Sequence, residues 1–313
     1  SVPAVSPRVA ALPAGTASHV TLPLGPGLSI ELVRIPGGEF LMGSEEGHED
    51  EAPVSSVTVR SFWMARFETS NRQFLAFDPS HESRTEDRHG YQFGITGYDQ
   101  DQPEQPAVRV SWEEAMAFCD WLSKRTGLEI SLPTEAQWEW ACRAGTTTAF
   151  WFGSLDSDYS GCANLGDAML AQFAGDPYVQ DRARAAFKNP GRYDNWLPQD
   201  TRFNDRGFIT EPVGRYRANP WGLHDMHGNA AEWTRSAYRP YPYRDDDGRD
   251  ALAEGGRNTE RVVRGGSWRD RPFRSTASYR LPYRQYQKVF NVGFRVICEG
   301  DVTGLRTALR ATP

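Results

Sequence analysis

Residues 219–234 read Asn219-Pro-Trp-Gly-Leu-His-Asp-Met-His-Gly-Asn-Ala-Ala-Glu-Trp-Thr234. The run carries two Trp, two Gly, two His and three side chains with ligand-type oxygens, Asp225, Asn229 and Glu232. That mixture does not suit an amphipathic helix and is too polar for a buried strand. Pro220, Gly222 and Gly228 make the backbone turn repeatedly. Trp221 and Trp233 supply large apolar area to anchor the turns. The stretch therefore reads as a loop locked into a core, held by a metal ion, or both.

The rest of the composition agrees with a turn-rich globule. There are 29 Gly, 21 Pro and 10 Trp, and aromatics make up 12%. A length of 313 residues suits one large domain or two modest ones. Neither an internal repeat nor a break in composition forces a second domain. Mean hydropathy is −0.62. No apolar run approaches the roughly 20 residues that a spanning helix needs. The formal charge of −6 gives no general attraction to nucleic acid or to an anionic membrane. The four cysteines, Cys119, Cys142, Cys162 and Cys298, include no C-x-x-C pair, which argues against a zinc knuckle or a thioredoxin-like motif. They suit two disulfides or small buried thiols, and the pairing stays open. Residues 1–18, rich in Ala, Pro and Ser, read as a flexible lead exposed after processing of an exported precursor. A periplasmic or secreted location is the expectation. One domain over 19–300 and a loose tail over 301–313 complete the layout.

Along the chain, alternation and Gly/Pro turns predict short strands over 19–60, with a further strand from Val54 to Met64. A short helix is expected near 69–77, capped by Thr69 or Ser70, with Phe74 and Phe77 inward. Residues 78–106 are irregular, with Tyr91, Phe93 and Tyr98 as aromatic anchors. Ser111 with Glu114, and Thr134 with Gln137, form capping boxes that open two helices. Gly127 and Gly145 close them. Between them Glu129-Ile-Ser-Leu-Pro133 is a connecting strand. Residues 150–210 read as loop with a helix near 179–187, and need aromatic plugs or bound cations to hold them. A charged loop at 244–259, a strand at 260–264, a turn at 265–268 and a strand at 292–298 follow.

The order of several phrases resembles the formylglycine-generating enzyme (sulfatase-modifying factor) family over roughly 28–298. The phrases are Gly38-Glu-Phe-Leu-Met-Gly43, Phe67-Glu-Thr-Ser-Asn71, Pro106-Ala-Val-Arg-Val-Ser-Trp112, Leu132-Pro-Thr-Glu-Ala-Gln-Trp-Glu-Trp-Ala141, the run from Asn219 to Trp233, Arg264-Gly-Gly-Ser-Trp268 and Gly293-Phe-Arg295. The resemblance implies an irregular, loop-rich α+β domain related to the C-type-lectin-like fold. It also implies one or two structural Ca²⁺ ions. The first would use the side chains of Asn164 and Asp205 and the carbonyls of Leu165 and Gly207. The second would use the Asn229 region, with the carbonyls of His227, Gly228 and Ala230 and the carboxylate of Glu232. Calcium accepts such mixed oxygens in irregular geometry.

The resemblance fails at the chemistry. The family's generators carry two copper-binding cysteines shortly after the Gly-Gly-Ser phrase, where a thiolate nucleophile and soft ligand are required. Here the segment reads Arg269-Asp-Arg-Pro-Phe-Arg-Ser-Thr-Ala-Ser-Tyr-Arg280, and no cysteine lies between Cys162 and Cys298. The expectation is a sulfatase-modifying-factor-like protein without formylglycine generation, serving as a calcium-stabilised module that binds a ligand or a protein. The alternative is a metal-dependent oxidative enzyme like the non-haem iron or pyoverdine-maturation branches of the family, with a redox metal of unknown identity.

Several candidates stand against blander roles. Trp268, Arg269, Asp270, Arg271, Arg274, Tyr279, Tyr283 and Tyr286, in a segment rich in cations and aromatics, suit an anionic or carbohydrate-like ligand or a peptide. Some of the arginines, Arg280 and Arg295 in particular, equally suit buried pairing with acids. His224 and His227 are three apart but sit among turns. His48, His81 and His89, with Glu49, Asp50, Glu82, Glu86 or Asp87, suit a redox-metal site or simple solvation. Glu135 and Glu139 share one helix face without an assigned acid–base role.

Overall fold

The structure, a computed structural model, describes residues 6–11, 18–84, 100–169, 200–251, 256–300 and 302. The helix expected at 179–187, the anchors Tyr91, Phe93 and Tyr98, and His89 with Glu86 and Asp87 lie outside the described residues.

Alternation produces strands where apolar positions can face one core. β2 (His19–Gly25) and β3 (Leu28–Ile35) form a hairpin whose Gly27 takes φ 68°. Leu22, Leu24, Ile30 and Leu32 are its buried face. β4 (Gly38–Met42) pairs with β5 (Ser55–Val59), while β6 (Phe62–Ala65) pairs with β3. The single strand expected over Val54–Met64 is thus two, each serving a different sheet.

β1 (Arg8–Val9) pairs along the edge of β4, and Ala10 N donates to Gly37 O at 2.8 Å. The lead is therefore not wholly flexible: these residues satisfy backbone groups that the β4 edge would leave open. Val302 is likewise buried in a core, so the expected loose tail is anchored at its start.

The three α-helices among the described residues each begin at a capping box, two of them at the boxes expected from the sequence. Ser70, Ser111 and Thr134 accept from Gln73, Glu114 and Gln137 ahead of α1 (Asn71–Leu75), α2 (Trp112–Thr126) and α3 (Glu135–Arg143). Each such cap stabilises by about 1 kcal/mol. Gly127 stops α2 in the left-handed region at φ 70°. Phe118 of α2 stacks on Phe74 of α1 and meets Phe294 edge-on, which ties both helices to the core.

β7 (Ile130–Ser131), β8 (Ala231–Ala237), β9 (Glu260–Arg264), β10 (Leu281–Arg284), β11 (Val292–Gly293) and β12 (Ile297–Cys298) complete the sheets. The orders are β1-β4-β5, β10-β9-β8-β11 and β2-β3-β6-β12-β7. Two expectations change here. The end of the 219–234 run is a buried strand, not a turn. Its polar side chains are satisfied: Glu232 by Arg295, and Thr234, whose hydroxyl donates to Val262 O at 3.0 Å. The strand expected at 292–298 is two short pieces in different sheets. All four cysteines are free and buried.

Candidate functional site

The segment 264–291 is held in place from beneath by α3. Glu139 accepts from Arg143 at 2.8 Å and from Arg264 at 2.5 Å. Glu135 accepts from Arg280 through two bonds, at 2.6 and 3.0 Å. Arg280 also lies 4.0 Å from the Tyr241 ring centroid. These two acids are structural partners of arginines. Removing one partner of such a buried pair typically costs ~3–5 kcal/mol. The network fixes both ends of the stretch from Arg264 to Arg280. Gly266 makes the turn possible at φ 66°, and a Cβ there would overlap Ser275 Oγ.

Above this floor opens a cleft of about 690 Å³. Arg269, Asp270, Arg274, Tyr279, Tyr283 and Tyr286, six of the eight residues expected to meet a ligand, line it. Arg109, Lys288, Phe290 and Asn291 line it too. Arg109 is absent from the sequence-derived set because it lies far from this segment in the chain. It arrives because its N–H bonds Val289 O at 3.0 Å, with its own φ at 59°. Trp268 and Arg271 are not lining residues. Trp268 is buried against Phe208, Ile209 and Phe290. Arg271 is exposed.

The cleft is cationic with one acid at its floor. Lys288 reaches Glu114 at 2.5 Å, and Arg269 lies over the Phe290 ring. Burial lowers the Arg269 pKa. The Asp270 carboxyl accepts from Ser267 Oγ at 2.6 Å, and Asn291 Nδ2 in turn donates to Ser267 Oγ at 2.7 Å. Burial pushes Asp270 above the usual carboxylate range, against the pull of Ser267, Arg274 and Arg269. Burial also raises Tyr279 to about 12 and raises Tyr283, so both phenols stay neutral. The arrangement can bind a negatively charged group through forked guanidinium contacts and stack a flat or ring-shaped body on tyrosine.

The two oxygen-rich sets behave differently. At the first, Asn164 Oδ1 is buried without a hydrogen-bond partner among the described residues, while Asn164 Nδ2 donates to Ile209 O at 2.7 Å. Gly207 lies so close that a Cβ would sit 2.7 Å from that oxygen. Asp205 accepts from Leu165 N at 2.7 Å and Gly207 N at 2.6 Å. Burial, and then the neighbouring Asp167, push Asp205 up to about 8. An orphaned amide oxygen beside a carboxylate that a cation would keep ionised fits Ca²⁺. Asp167 belongs to this neighbourhood and was not singled out from sequence.

In the second set the side chains are already engaged within the protein. Both Glu232 oxygens are taken by Arg295, and Oε2 also accepts from Trp138 Nε1 at 2.8 Å. Asn229 spends its amide on Asn164, Glu211 and Glu68. Gly228 N donates to Gly265 O, and Ala230 N to Glu68 Oε1. Glu68 is a buried partner that sequence reading did not assign.

The histidines are apart. His227 is fully buried, with Nδ1 on Ser275 O at 2.7 Å and Nε2 accepting from Trp151 N at 3.3 Å. Burial lowers its pKa to about 4, which keeps the ring neutral. His224 Nδ1 bonds Tyr216 O instead. His48 packs on Phe273 and Tyr279, while His81 packs on Phe74. Among the described residues, no group of three or more His, Cys, Asp or Glu is placed to hold a metal.

A model of the sulfatase-modifying factor enzyme 1-like domain matches residues 28–299. The formylglycine-generating enzyme of Mycobacterium tuberculosis is 29% identical over 259 residues, covering 67% of this chain and 75% of that protein. The inactive C-alpha-formylglycine-generating enzyme 2 of Bos taurus is 28% identical over 292 residues, covering 80% of each. The chain spans only 34% and 33% of two Chlamydia relatives named serine/threonine-protein kinase pkn1. Among solved structures, PvdO from Pseudomonas aeruginosa superposes with a TM-score of 0.68 at 25% identity, covering 91% of this chain and 100% of that one. No described helix is long and apolar enough to cross a membrane.

Proposed function

The chain belongs to the sulfatase-modifying factor enzyme 1-like family, and from that premise we propose that it is a calcium-stabilised binding module without formylglycine-generating activity. Its ligand is a small anionic or carbohydrate-like molecule, or the anionic part of a peptide or protein partner. The observation that carries this reading is the cleft in which Arg269, Arg274, Lys288 and Arg109 surround tyrosine walls. The family's chemistry needs a thiolate pair in this segment, and here Asp270 and serines stand among arginines. A relative named as inactive supports a non-catalytic member.

Calcium would be held by Asn164 Oδ1, the Asp205 carboxylate and the carbonyls of Leu165 and Gly207. Bound there, it would supply the positive charge that keeps Asp205 ionised and would tie the 164–167 and 205–207 loops together.

The test is calorimetric titration with inorganic phosphate, sulfate and glucuronate. Arg274→Ala, an exposed change, should weaken binding about tenfold with little effect on unfolding. If none of the three anions binds saturably, the reading fails. The likeness to PvdO keeps an oxidative enzyme as the second reading. Stoichiometric iron or copper in anaerobically purified protein would favour it over the binding module.

A further inference from the structure

The backbone from Phe273 to Tyr279 is a partition. Arg274 and Tyr279 face the cationic cleft, whereas Phe273, Thr276 and Ser278 face a second pocket of about 660 Å³ on its other side. That volume is within the ordinary range for small-molecule sites. Its far wall is the 43–51 loop. This loop is closed on itself, with Ser44 N donating to Glu51 O at 2.9 Å, and clamped to α3, with Gly43 N donating to Glu139 at 2.9 Å. The pocket is therefore preformed.

Its chemistry opposes that of the neighbouring cleft. Glu51 is only 1% exposed, yet it lines the pocket. One of its oxygens accepts from His48 N at 2.9 Å, and the other, Oε2, has no hydrogen-bond partner among the described residues. A buried carboxylate oxygen left unmade is costly, and native structures rarely keep one without use. The other charged groups facing the space are Glu46, Asp156 and Arg143. Arg143 pairs with Glu139 at 2.8 Å, a carboxylate that it shares with Arg264. Asp156 is paired with Arg202 at 2.8 Å on the rim. Glu51 and Glu46 thus bring negative charge to the pocket with no ion pair of their own among the described residues. Around it stand the hydroxyl residues Ser44, Thr147 and Ser154, and the exposed apolar side chains Leu155 and Phe273, each 40% exposed. The His48 ring packs against Phe273 with centroids 5.8 Å apart, giving an aromatic wall.

We infer that this pocket binds an organic cation, an alkylammonium or guanidinium group, whose charged head meets Glu51 Oε2 and whose stem lies on Phe273 and Leu155. A bare metal ion would leave most of the volume and the aromatic wall unused, and only one carboxylate is buried to meet it. Rings favour cations of this type through their negative faces. The inference is separate from the anion-binding reading because Glu51 and Leu155 line this pocket and not the cleft, although the Arg274 guanidinium lies 5.8 Å from the Phe273 ring centroid.

The test is calorimetric titration of the whole chain with n-butylammonium and methylguanidinium chloride, with sodium and calcium chloride as controls at matched ionic strength. At least one organic cation should bind saturably. Glu51→Gln keeps the acceptor for His48 N and should weaken binding about tenfold or more. Gly47→Ala is the second variant, because a Cβ there would overlap the Glu51 carboxylate and push it out of place. It serves even if Glu51→Gln folds poorly, and it should weaken binding similarly. The tripeptides Gly-Lys-Gly and Gly-Arg-Gly then separate the sources. Tighter binding than the free cations assigns the site to a protein side chain, and weaker binding assigns it to a free amine. No saturation by any organic cation, unchanged affinity in both variants, or saturation by calcium alone would each overturn the inference.

Discussion

Arg295 closes on Glu232 from both sides of its carboxylate, with Nε at 2.9 and 2.8 Å from the two oxygens and the outer nitrogen at 2.6 Å from Oε1. The two side chains are 0% and 1% exposed. Arg295 also donates to His224 O at 2.9 Å, so one guanidinium ties the 219–230 turns to β8. Glu232 is one of the ligands that the family resemblance implies for an ion, and here both its oxygens accept from a protein cation.

Glu232→Gln should therefore destabilise the protein by about 3–5 kcal/mol, because it leaves Arg295 buried without its counter-charge. Urea unfolding measures this. The gain in stability on adding calcium should persist in the variant. If that gain vanished while calcium-free stability stayed unchanged, Glu232 would be an ion ligand after all.

Asp205→Asn should do the opposite. Wild-type protein should gain about 2.7 kcal/mol when calcium is raised to a hundred times its dissociation constant. The variant should lose most of that gain, since the carboxylate beside the orphaned Asn164 oxygen supplies the site's charge. Thermal unfolding in EGTA and in calcium compares the two. An undiminished calcium increment in Asp205→Asn removes this site from the account.

Asp270 should make anion binding sensitive to pH. Burial raises its pKa in the unliganded cleft. As pH falls through that raised value, the carboxylate takes up a proton and one negative charge leaves the cationic cleft. Affinity for phosphate analogues of fixed charge, such as sulfate, should then rise, up to about tenfold. Asp270→Asn keeps an acceptor for Ser267 Oγ while remaining neutral, so it should bind sulfate more tightly near neutral pH and show a flat profile. A wild-type profile that is already flat would show that Asp270 does not face the ligand.

Much of the fold was legible because its signals are local. The pairs Ser111/Glu114 and Thr134/Gln137 act within one turn, so their residue spacing alone locates the helix starts. The paired arginine segment was visible as composition, and six of its eight expected ligand residues do line the cleft. What escaped depends on distant chain. Arg109 enters the cleft through a backbone bond to Val289, and Glu51 becomes a pocket wall only because 43–51 folds back on itself. The strand β8 looks like turns in the sequence because its polar residues have their partners elsewhere in the chain. Glu232 is strange in a strand until Arg295, 63 positions away, is beside it.

The same long-range packing decides what becomes of the thiols. Cys119, Cys142, Cys162 and Cys298 are all free and buried, and none lines the cleft. Burial holds the Cys119 and Cys142 thiols far above their ordinary range, and it raises Cys162 and Cys298 as well. Cys142 lies 3.5 Å from His227 Nε2, but that imidazole is kept neutral by its own burial and does not draw out a thiolate. A nucleophilic sulfur is thus missing where oxidation of a substrate cysteine would need it. A peptide bearing the sulfatase cysteine motif should keep its full thiol mass after incubation with this protein, copper and a reductant, as read by mass spectrometry. In the same sample, a thiol reagent should modify the native chain slowly and all four cysteines rapidly once guanidinium unfolds it. An aldehyde product, or a fast-reacting thiol in the native protein, would overturn the assignment of this chain as a binder and return it to the oxidising members of its family.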